Sequence, residues 1–326
     1  DFATAATPDQ VRKIFRRTVP VGIEFGTVGV LDEHNVMHEV TTFRRDVQTD
    51  GRHAVVEFGA SLDEDLARRD FTINAMAVPI GDGSTELIDP HGGLDDLRRG
   101  LLRVMHDRSF ADDPTRALRA ARYAARLDLD LEARTAELLA GADLQTVSAD
   151  RVDSELRRIA AEVDPAAALE LLVRWRLAGL DLSEVAPQRV RASLEVLARP
   201  GWGDVARRED VVAACIASDS RWEAAVVRLA AATPQRPSEG VHLTRGHTPL
   251  ELVAARAAGA SWLDDHIEVW RHVELEVSGE DLLAAGVPEG RAIGRGLSAA
   301  LEAKLDGIAS TRDEELRIAL DAARSS

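Results

Sequence analysis

The chain has 326 residues, enough for two or three packed units, because single domains usually run to about 100–150 residues. Apolar residues make up 45% and charged residues 29%, with few aromatics and abundant Ala, Leu and Arg, a balance that favours helix. The net charge of −16 argues, as an average, against a nucleic-acid partner. The single cysteine, Cys215, excludes an intrachain disulfide framework and a thiolate zinc site, which makes a reducing cytoplasm the expected location. No apolar run reaches the roughly 18 residues of a membrane span, so no membrane partner is expected, and no signal-peptide pattern opens the chain.

In chain order, residues 8–17 have helical spacing. Residues 27–31 and 36–42 read as strands, and Asp32-Glu33-His34-Asn35 between them suggests a hairpin. Asp50-Gly51 marks a turn, and residues 55–58 a further strand. From residue 63 to 77 the pattern is helical, and Asp89-Pro90-His91-Gly92-Gly93 is a loop. Beyond about residue 105 nearly everything has helical periodicity, punctuated by Pro165, Pro187, Pro200-Gly201 and Pro288-Glu289-Gly290. Residues 233–240 have the composition of a linker. The fold class predicted is α+β, a small mixed α/β head followed by a long helical body.

The negative charge is uneven. Between residues 98 and 126 stand eight arginines (98, 99, 103, 108, 116, 119, 122 and 126) against three acids (Asp107, Asp112 and Asp113), a local excess of five positive charges. Such a stripe is either a solvated helix face or a surface for an anion.

Two segments carry the chemistry. In Arg68-Arg69-Asp70-Phe71-Thr72-Ile73-Asn74, Asp70 and Asn74 are four apart and would share a helix face. A carboxylate beside an amide suits a ribose, whose hydroxyls need an acceptor and a donor, and the paired arginines Arg68 and Arg69 suit a triphosphate. Read structurally, the same residues make a charged helix N-terminus, with Asp70 near the positive end of the dipole. In Asp112-Asp113-Pro114-Thr115-Arg116, Pro114 suits a first helical turn that Asp112 or Asp113 caps. Asp113 and Arg116 then share a face that Arg119, Arg122 and Arg126 continue.

A fixed carboxylate with a fixed guanidinium presents one acceptor and one donor. Cytosine and adenine show an amino donor beside a ring-nitrogen acceptor, whereas uracil and guanine show the reverse. The pair Asp113 and Arg116 would accept C and A and oppose U and G, by the ~1–3 kcal/mol that a good bidentate contact supplies. The nine histidines form no metal-ligand spacing, and the five tryptophans are dispersed as helix-packing residues.

Together these tracts resemble the class II tRNA nucleotidyltransferases and their relatives the bacterial poly(A) polymerases. The resemblance runs from Asp1-Phe2-Ala3-Thr4 through Glu39-Val40-Thr41-Thr42-Phe43-Arg44 and Thr49-Asp50-Gly51-Arg52. It continues through the Arg68-Arg69-Asp70 tract, Asp89-Pro90-His91-Gly92-Gly93, the Asp112 to Arg122 segment and Asp150-Arg151-Val152. Near the end, Ser278-Gly279-Glu280-Asp281-Leu282 also fits, while residues 170–270 contribute little.

The resemblance implies a nucleotidyltransferase-fold head (1–105), a helical neck that reads the base (106–165), a helical body (166–235) and a helical tail that binds tRNA (236–326). It implies addition of CMP and AMP from CTP and ATP to a tRNA 3′ end, by two-metal phosphoryl transfer with Mg²⁺ held by an Asp-x-Asp pair. Arg68, Arg69, Arg116, Arg119 and Arg122 would hold the nucleotide, Asp70 and Asn74 would orient the ribose, and Asp113 with Arg116 would select the base. Asp1 falls where the second aspartate of the metal pair belongs, and Glu39 is a candidate third carboxylate. The first aspartate, the phosphate-cradling Gly-Gly loop and the first strand would lie upstream, so the chain as it stands is expected to have little catalysis. A poly(A)-adding or A-only relative, and a non-catalytic RNA-binding remnant of the fold, are the alternatives. The oligomeric state is not encoded in these tracts.

Overall fold

The protein is described by a computed structural model that covers residues 2–49, 54–81, 83, 85–217 and 219–325. The expectations placed on Asp1 and on the Asp50-Gly51 turn lie outside these described residues. The chain divides into two compact units, Asp1–Glu184 and Val185–Ser326.

The first unit begins with a mixed sheet. β1 (Phe2–Thr4) leads into α1 (Pro8–Ile14), β2 (Thr18–Gly22), β3 (Thr27–Leu31) and β4 (Met37–Thr42), and the sheet order is β1-β4-β3-β2. β1 runs parallel to β4 with Phe2 opposite Val40, and the other pairings are antiparallel. The expected hairpin is therefore β3–β4. Thr7 and Gln10 cap α1 reciprocally ahead of Pro8, which stops the helix fraying at its start. Alternation in β3 puts Val28 and Val30 on the buried face, where they meet Val11 of α1 and Val40 of β4. On the other face Gly29 leaves room for Val21 and Met37, whose side-chain atoms lie 2.8 and 3.0 Å from where a Cβ would stand.

A second antiparallel pair follows, β5 (Arg44–Thr49) with β6 (Ala54–Phe58), and then α2 (Leu62–Ala67), capped by Ser61 and Glu64. The helix predicted for 63–77 stops at Ala67, and residues 72–74 form a single 3₁₀ turn instead. The reason is tertiary. The Thr72 amide donates to the Arg103 carbonyl (3.0 Å) and Phe71 bridges to Val104, so this stretch bonds to a distant segment rather than to its own preceding turn.

α3 (Gly93–Arg98), β7 (Leu101–Leu102), α4 (Ser109–Asp112), α5 (Arg116–Leu127), β8 (Asp130–Leu131), α6 (Ala133–Leu139), α7 (Ala149–Ala160) and α8 (Pro165–Trp175) complete the unit. α5 buries Ala117, Leu118, Ala120, Ala121 and Ala124. This face of small side chains lets α8 and α7 pack closely against it.

The second unit is helical, built from α9 (Ala186–Leu197), α10 (Arg208–Ile216), α11 (Ser220–Ala231), α12 (Pro237–Thr244), α13 (Pro249–Ala257), α14 (Leu263–Glu268), α15 (Gly279–Ala284), α16 (Arg291–Leu305) and α17 (Arg312–Arg324). Half of the linker expected at 233–240 is the start of α12. Pro237 opens that helix, Ser238 donates from both backbone and hydroxyl to Asp306 (2.9 and 2.7 Å), and Gly240 lies against the Trp270 ring, 2.2 Å from where a Cβ would be. The composition was that of a loop because helix initiation and close packing use the same Pro, Ser and Gly.

Trp202 is buried and donates to Asp264 (3.0 Å), which Arg256 also grips (2.8 and 2.8 Å). α16 and α17 meet over Leu282, Val287, Ala300, Ala319 and Ala323. Beside that core the buried Glu315 takes Lys304 at 2.6 Å and the amides of Glu276 and Val277 at 2.8 and 3.2 Å. Burial alone would raise the Glu315 pKa, but Lys304 and the two amides overcome it and hold it below the ordinary value of 4.5. Its contribution is therefore complete above that ordinary value and is lost as pH falls through the lower folded value. Glu315→Ala leaves a largely covered Lys304 with Glu276 at 3.8 Å and strips two amides of their acceptor, and is expected to cost about 3 kcal/mol, read as a lower denaturant midpoint at neutral pH. The difference from the parent should shrink in acid.

Candidate functional site

A cleft of ≈ 2050 Å³ in the first unit is lined from three directions: by β1 and β4, by the Arg68 to Asn74 segment, and by α5 with its approach. This exceeds the ~300–1,000 Å³ of an ordinary small-molecule pocket, leaving space for more than one ligand. Its lining includes Glu39, Arg68, Arg69, Asp70, Asn74, Asp113, Arg116 and Arg119, so the structure gathers these sequence candidates at one place. Arg122 is not among the lining residues. It is buried against Glu162 (3.5 Å) and Glu155 (4.0 Å), with its guanidinium over the Tyr123 ring. The expected basic face of Arg116, Arg119, Arg122 and Arg126 thus divides, because a helix rotates by a turn every 3.6 residues and Arg122 comes round to the side that packs on α7.

Asp70 is the centre of the first segment. Its Oδ1 accepts from the Phe71 amide (3.0 Å) and from Asn74 Nδ2 (2.9 Å), and its Oδ2 takes Arg119 Nε and Nη2 at 2.7 and 2.6 Å. Asp70 and Asn74 therefore meet, although through a tight turn and not along a helix face. Burial would lower the Arg119 pKa, and the Asp70 charge reverses this and holds it raised. Arg119 also approaches Glu155 (3.7 Å) and donates to the Tyr123 hydroxyl (3.4 Å).

The two adjacent arginines are fixed by Asp65, a buried carboxylate that the motif reading did not single out. Asp65 takes Arg68 through Nε and Nη2 (3.0 and 2.7 Å), Arg69 at 3.3 Å, and the Arg44 amide at 3.2 Å. The only sequence signal was its place three residues before Arg68. Arg69 adds a bond to the Asn74 carbonyl (3.2 Å), which ties the guanidinium to the same turn.

A second support comes from the Asp89-Pro90-His91-Gly92-Gly93 loop. Asp89 accepts the Gly93 and Leu94 amides (2.8 and 2.9 Å) and so caps α3. Gly92 sits at φ 73°, which favours glycine. Gly93 serves differently: a Cβ there would stand 2.2 Å from the Thr72 carbonyl oxygen. Asp96 then takes the Thr72 hydroxyl (2.7 Å) and Arg103 through both oxygens (2.9–3.2 Å). Gly93→Ala should push the 72–74 turn away and cost roughly 1–3 kcal/mol, as overpacking usually does. A lower thermal midpoint is the expected result.

Asp113 does not begin the helix with Arg116, as the spacing suggested. It lies between α4 and α5 with extended backbone (φ −146°, ψ 95°), and α5 starts at Arg116. Its Oδ1 accepts the Thr115 amide and hydroxyl (3.1 and 2.6 Å) and Arg151 Nη2 (3.0 Å). Among the described residues no hydrogen bond falls on Oδ2. Arg116 reaches the Ser109 hydroxyl (3.1 Å) and the Arg68 carbonyl (3.4 Å). The two side chains are held separately and are not paired with each other, so each keeps polar atoms for a ligand. Arg151, from α7, is the residue that sequence reasoning left without a role here.

Glu39 is exposed on β4, next to Val40, the partner of Phe2. It is a hard oxygen donor of the kind that suits Mg²⁺. Among the described residues no cluster of three potential metal ligands exists, and Asp1 lies outside them.

Residues 1–103 match the family described as the poly A polymerase head domain. A CCA-adding enzyme of Leuconostoc mesenteroides is 39% identical over 180 residues, 53% of this chain and 44% of that protein. One from Streptococcus pyogenes is 42% identical over 165 residues, 49% and 40% of the two chains. The matched stretch thus spans less than half the length of either relative. Among solved structures, a CCA-adding enzyme in its apo form II superposes with a TM-score of 0.79 at 22% identity, covering 96% of this chain and 84% of that one. The Thermotoga maritima CCA-adding enzyme complexed with tRNA gives 0.75 at 22% identity, over 96% and 83%. A CCA-adding enzyme in complex with ATP gives 0.76 at 23%, over 97% and 84%. These likenesses show the α+β fold with its helical body. The head-domain match and the two curated relatives give the same direction: residues 1–103 are similar to the poly A polymerase head domain, and about half of the chain is similar to CCA-adding enzymes.

Proposed function

We propose that this chain functions as a template-independent RNA nucleotidyltransferase that adds CMP and AMP, from CTP and ATP, to the 3′ end of tRNA. The observation that carries the reading is the separate anchoring of Asp113 and Arg116 in one cleft with the Asp70–Asn74 turn. Arg151 and Thr115 hold Asp113 on one oxygen, while Ser109 and the Arg68 carbonyl hold Arg116. An acceptor and a donor fixed beforehand lose little freedom when a base arrives, and they suit the pairing edges of C and A. The relatives named as CCA-adding enzymes, and the solved complexes with tRNA and ATP, support the same substrates.

In this reading Asp70 and Asn74 receive the ribose, and Arg69 and Arg119 lie close enough to counter the triphosphate charge. Glu39 would contribute to holding Mg²⁺, which when bound supplies charge stabilisation to phosphoryl transfer. Asp65 acts at one remove by aiming Arg68 and Arg69. The neck, body and tail divisions at 106–165, 166–235 and 236–326 remain part of this proposal.

Equilibrium binding of CTP, ATP, UTP and GTP with Mg²⁺ present tests the reading without requiring turnover. A preference of roughly 5-fold to 150-fold for CTP and ATP is expected from the ~1–3 kcal/mol of a bidentate contact. Binding without discrimination would remove the base-reading role. Incorporation from CTP alone on a tRNA lacking its CCA separates CCA addition from an A-only or poly(A)-adding activity.

A further inference from the structure

The arginines that the sequence gathered between 98 and 126 are largely held by carboxylates of the same unit: Arg103 by Asp96, Arg108 by Asp112, Arg119 by Asp70 and Arg126 by Glu162. The segment at the end of α1 is different. Between Asp9 and Glu24 the chain has no acidic residue and four cations, Arg12, Lys13, Arg16 and Arg17. Arg17 is tied to the Asp32 carbonyl (2.9 Å) and to Asn35. Arg12, Lys13 and Arg16 are exposed and, among the described residues, carry no ion pair. Arg12 and Lys13 complement the C-terminal end of a helix dipole, but Arg16 lies beyond the C-cap residue Phe15 and gains nothing from it. Five consecutive residues span at most about 14 Å even when extended, comparable to the Debye length of about 8–10 Å, so the three charges act together. Between them stand Ile14 and Phe15, 68% and 42% exposed, and both line the cleft.

We propose that residues 12–16 form a docking surface for the sugar–phosphate backbone of a single-stranded RNA end entering the cleft, with Phe15 stacking on a base. The inference rests on the nucleotidyltransferase reading and adds a site to it. Cations interleaved with an exposed aromatic are what a single strand recognises, because every base has a face to stack and every nucleotide a charge to neutralise. A chain of net charge −16 attracts such a strand best where its cations are not already paired.

The test is binding of a short single-stranded RNA across a salt series. Replacing Arg12, Lys13 and Arg16 together by Ser should lower the slope of log affinity against log salt by roughly 2, since each neutralised phosphate of a single strand contributes about 0.7. Phe15→Ala should weaken binding by roughly 5-fold or more with the slope unchanged, because stacking is not a counterion effect. All four side chains are exposed, so unchanged circular dichroism melts are expected. An unaltered slope in the triple variant overturns the proposal, as does a parent chain that binds no RNA at low salt. In both cases the nucleotide-binding preference, measured separately, decides whether the nucleotidyltransferase reading falls with it.

Discussion

Replacing Asp113 by alanine is expected to abolish the preference for CTP and ATP, reducing a roughly 5-fold to 150-fold difference to none, because one of two pattern-matching groups disappears. The structure explains why the effect should be confined to selection. Asp113 is anchored by Arg151 and Thr115 and contributes nothing to the Asp70–Arg119 pair, so the contacts proposed for ribose and phosphate should persist. Some local loosening will follow, since the Thr115 amide and hydroxyl lose their acceptor, a cost of about 1 kcal/mol for hydrogen bonds of this kind. Asp113→Asn controls for this. It keeps the shape and one acceptor for Thr115 and Arg151, yet places an amino donor where the other oxygen stood. Discrimination should be lost in both variants. Retention of the C and A preference in the asparagine variant would show that another residue reads the base.

A large stability change is expected from Asp70→Ala. Asp70 is 8% exposed and receives Arg119 through two short bonds, while the same residue holds Asn74. Without it the carboxylate left to Arg119 among the described residues is Glu155, at 3.7 Å. Removing one member of a buried pair costs about 3–5 kcal/mol, and since Arg119 keeps some contact with solvent the lower figure applies. For a unit of this size about 3 kcal/mol corresponds to a fall of roughly 6–12 °C in melting midpoint. Nucleotide affinity should fall for all four nucleotides alike, because the ribose is common to them. A uniform loss in Asp70→Ala beside a selective loss in Asp113→Ala would separate sugar recognition from base recognition. An Asp70→Ala protein that melts like the parent and binds nucleotides normally would place the turn outside the site.

The basic stripe shows how far charge counting goes. The excess of five positive charges between 98 and 126 is correct as arithmetic, but folding brings Asp70, Asp96, Glu155 and Glu162 against it from other segments. Net charge over a window ignores partners distant in sequence. Arg12, Lys13 and Arg16, at the end of α1, lie in a run no acid interrupts, and among the described residues no carboxylate pairs with them.

Several features were determined by the sequence alone. Strands β3 and β4 follow from alternation around a four-residue polar turn, a periodicity of two that any half-buried sheet imposes. The helical character beyond the head follows from abundant Ala, Leu and Arg. Arg68, Asp70, Asn74, Asp113 and Arg116 were legible as two polar motifs, each of which also had a purely structural reading, and it was the family resemblance that joined them into one expected site.

Only the tertiary structure decided the rest. It ended the helix at Ala67 and made a tight turn of 72–74, because hydrogen bonds to Arg103 and contact with Gly93 outweigh local propensity. It moved Asp113 off the helix of Arg116, turned Arg122 away from the cleft, and assigned Asp65 and Arg151 to hold the groups on either side. Each of these depends on a partner far along the chain, and no local periodicity records which partner that will be.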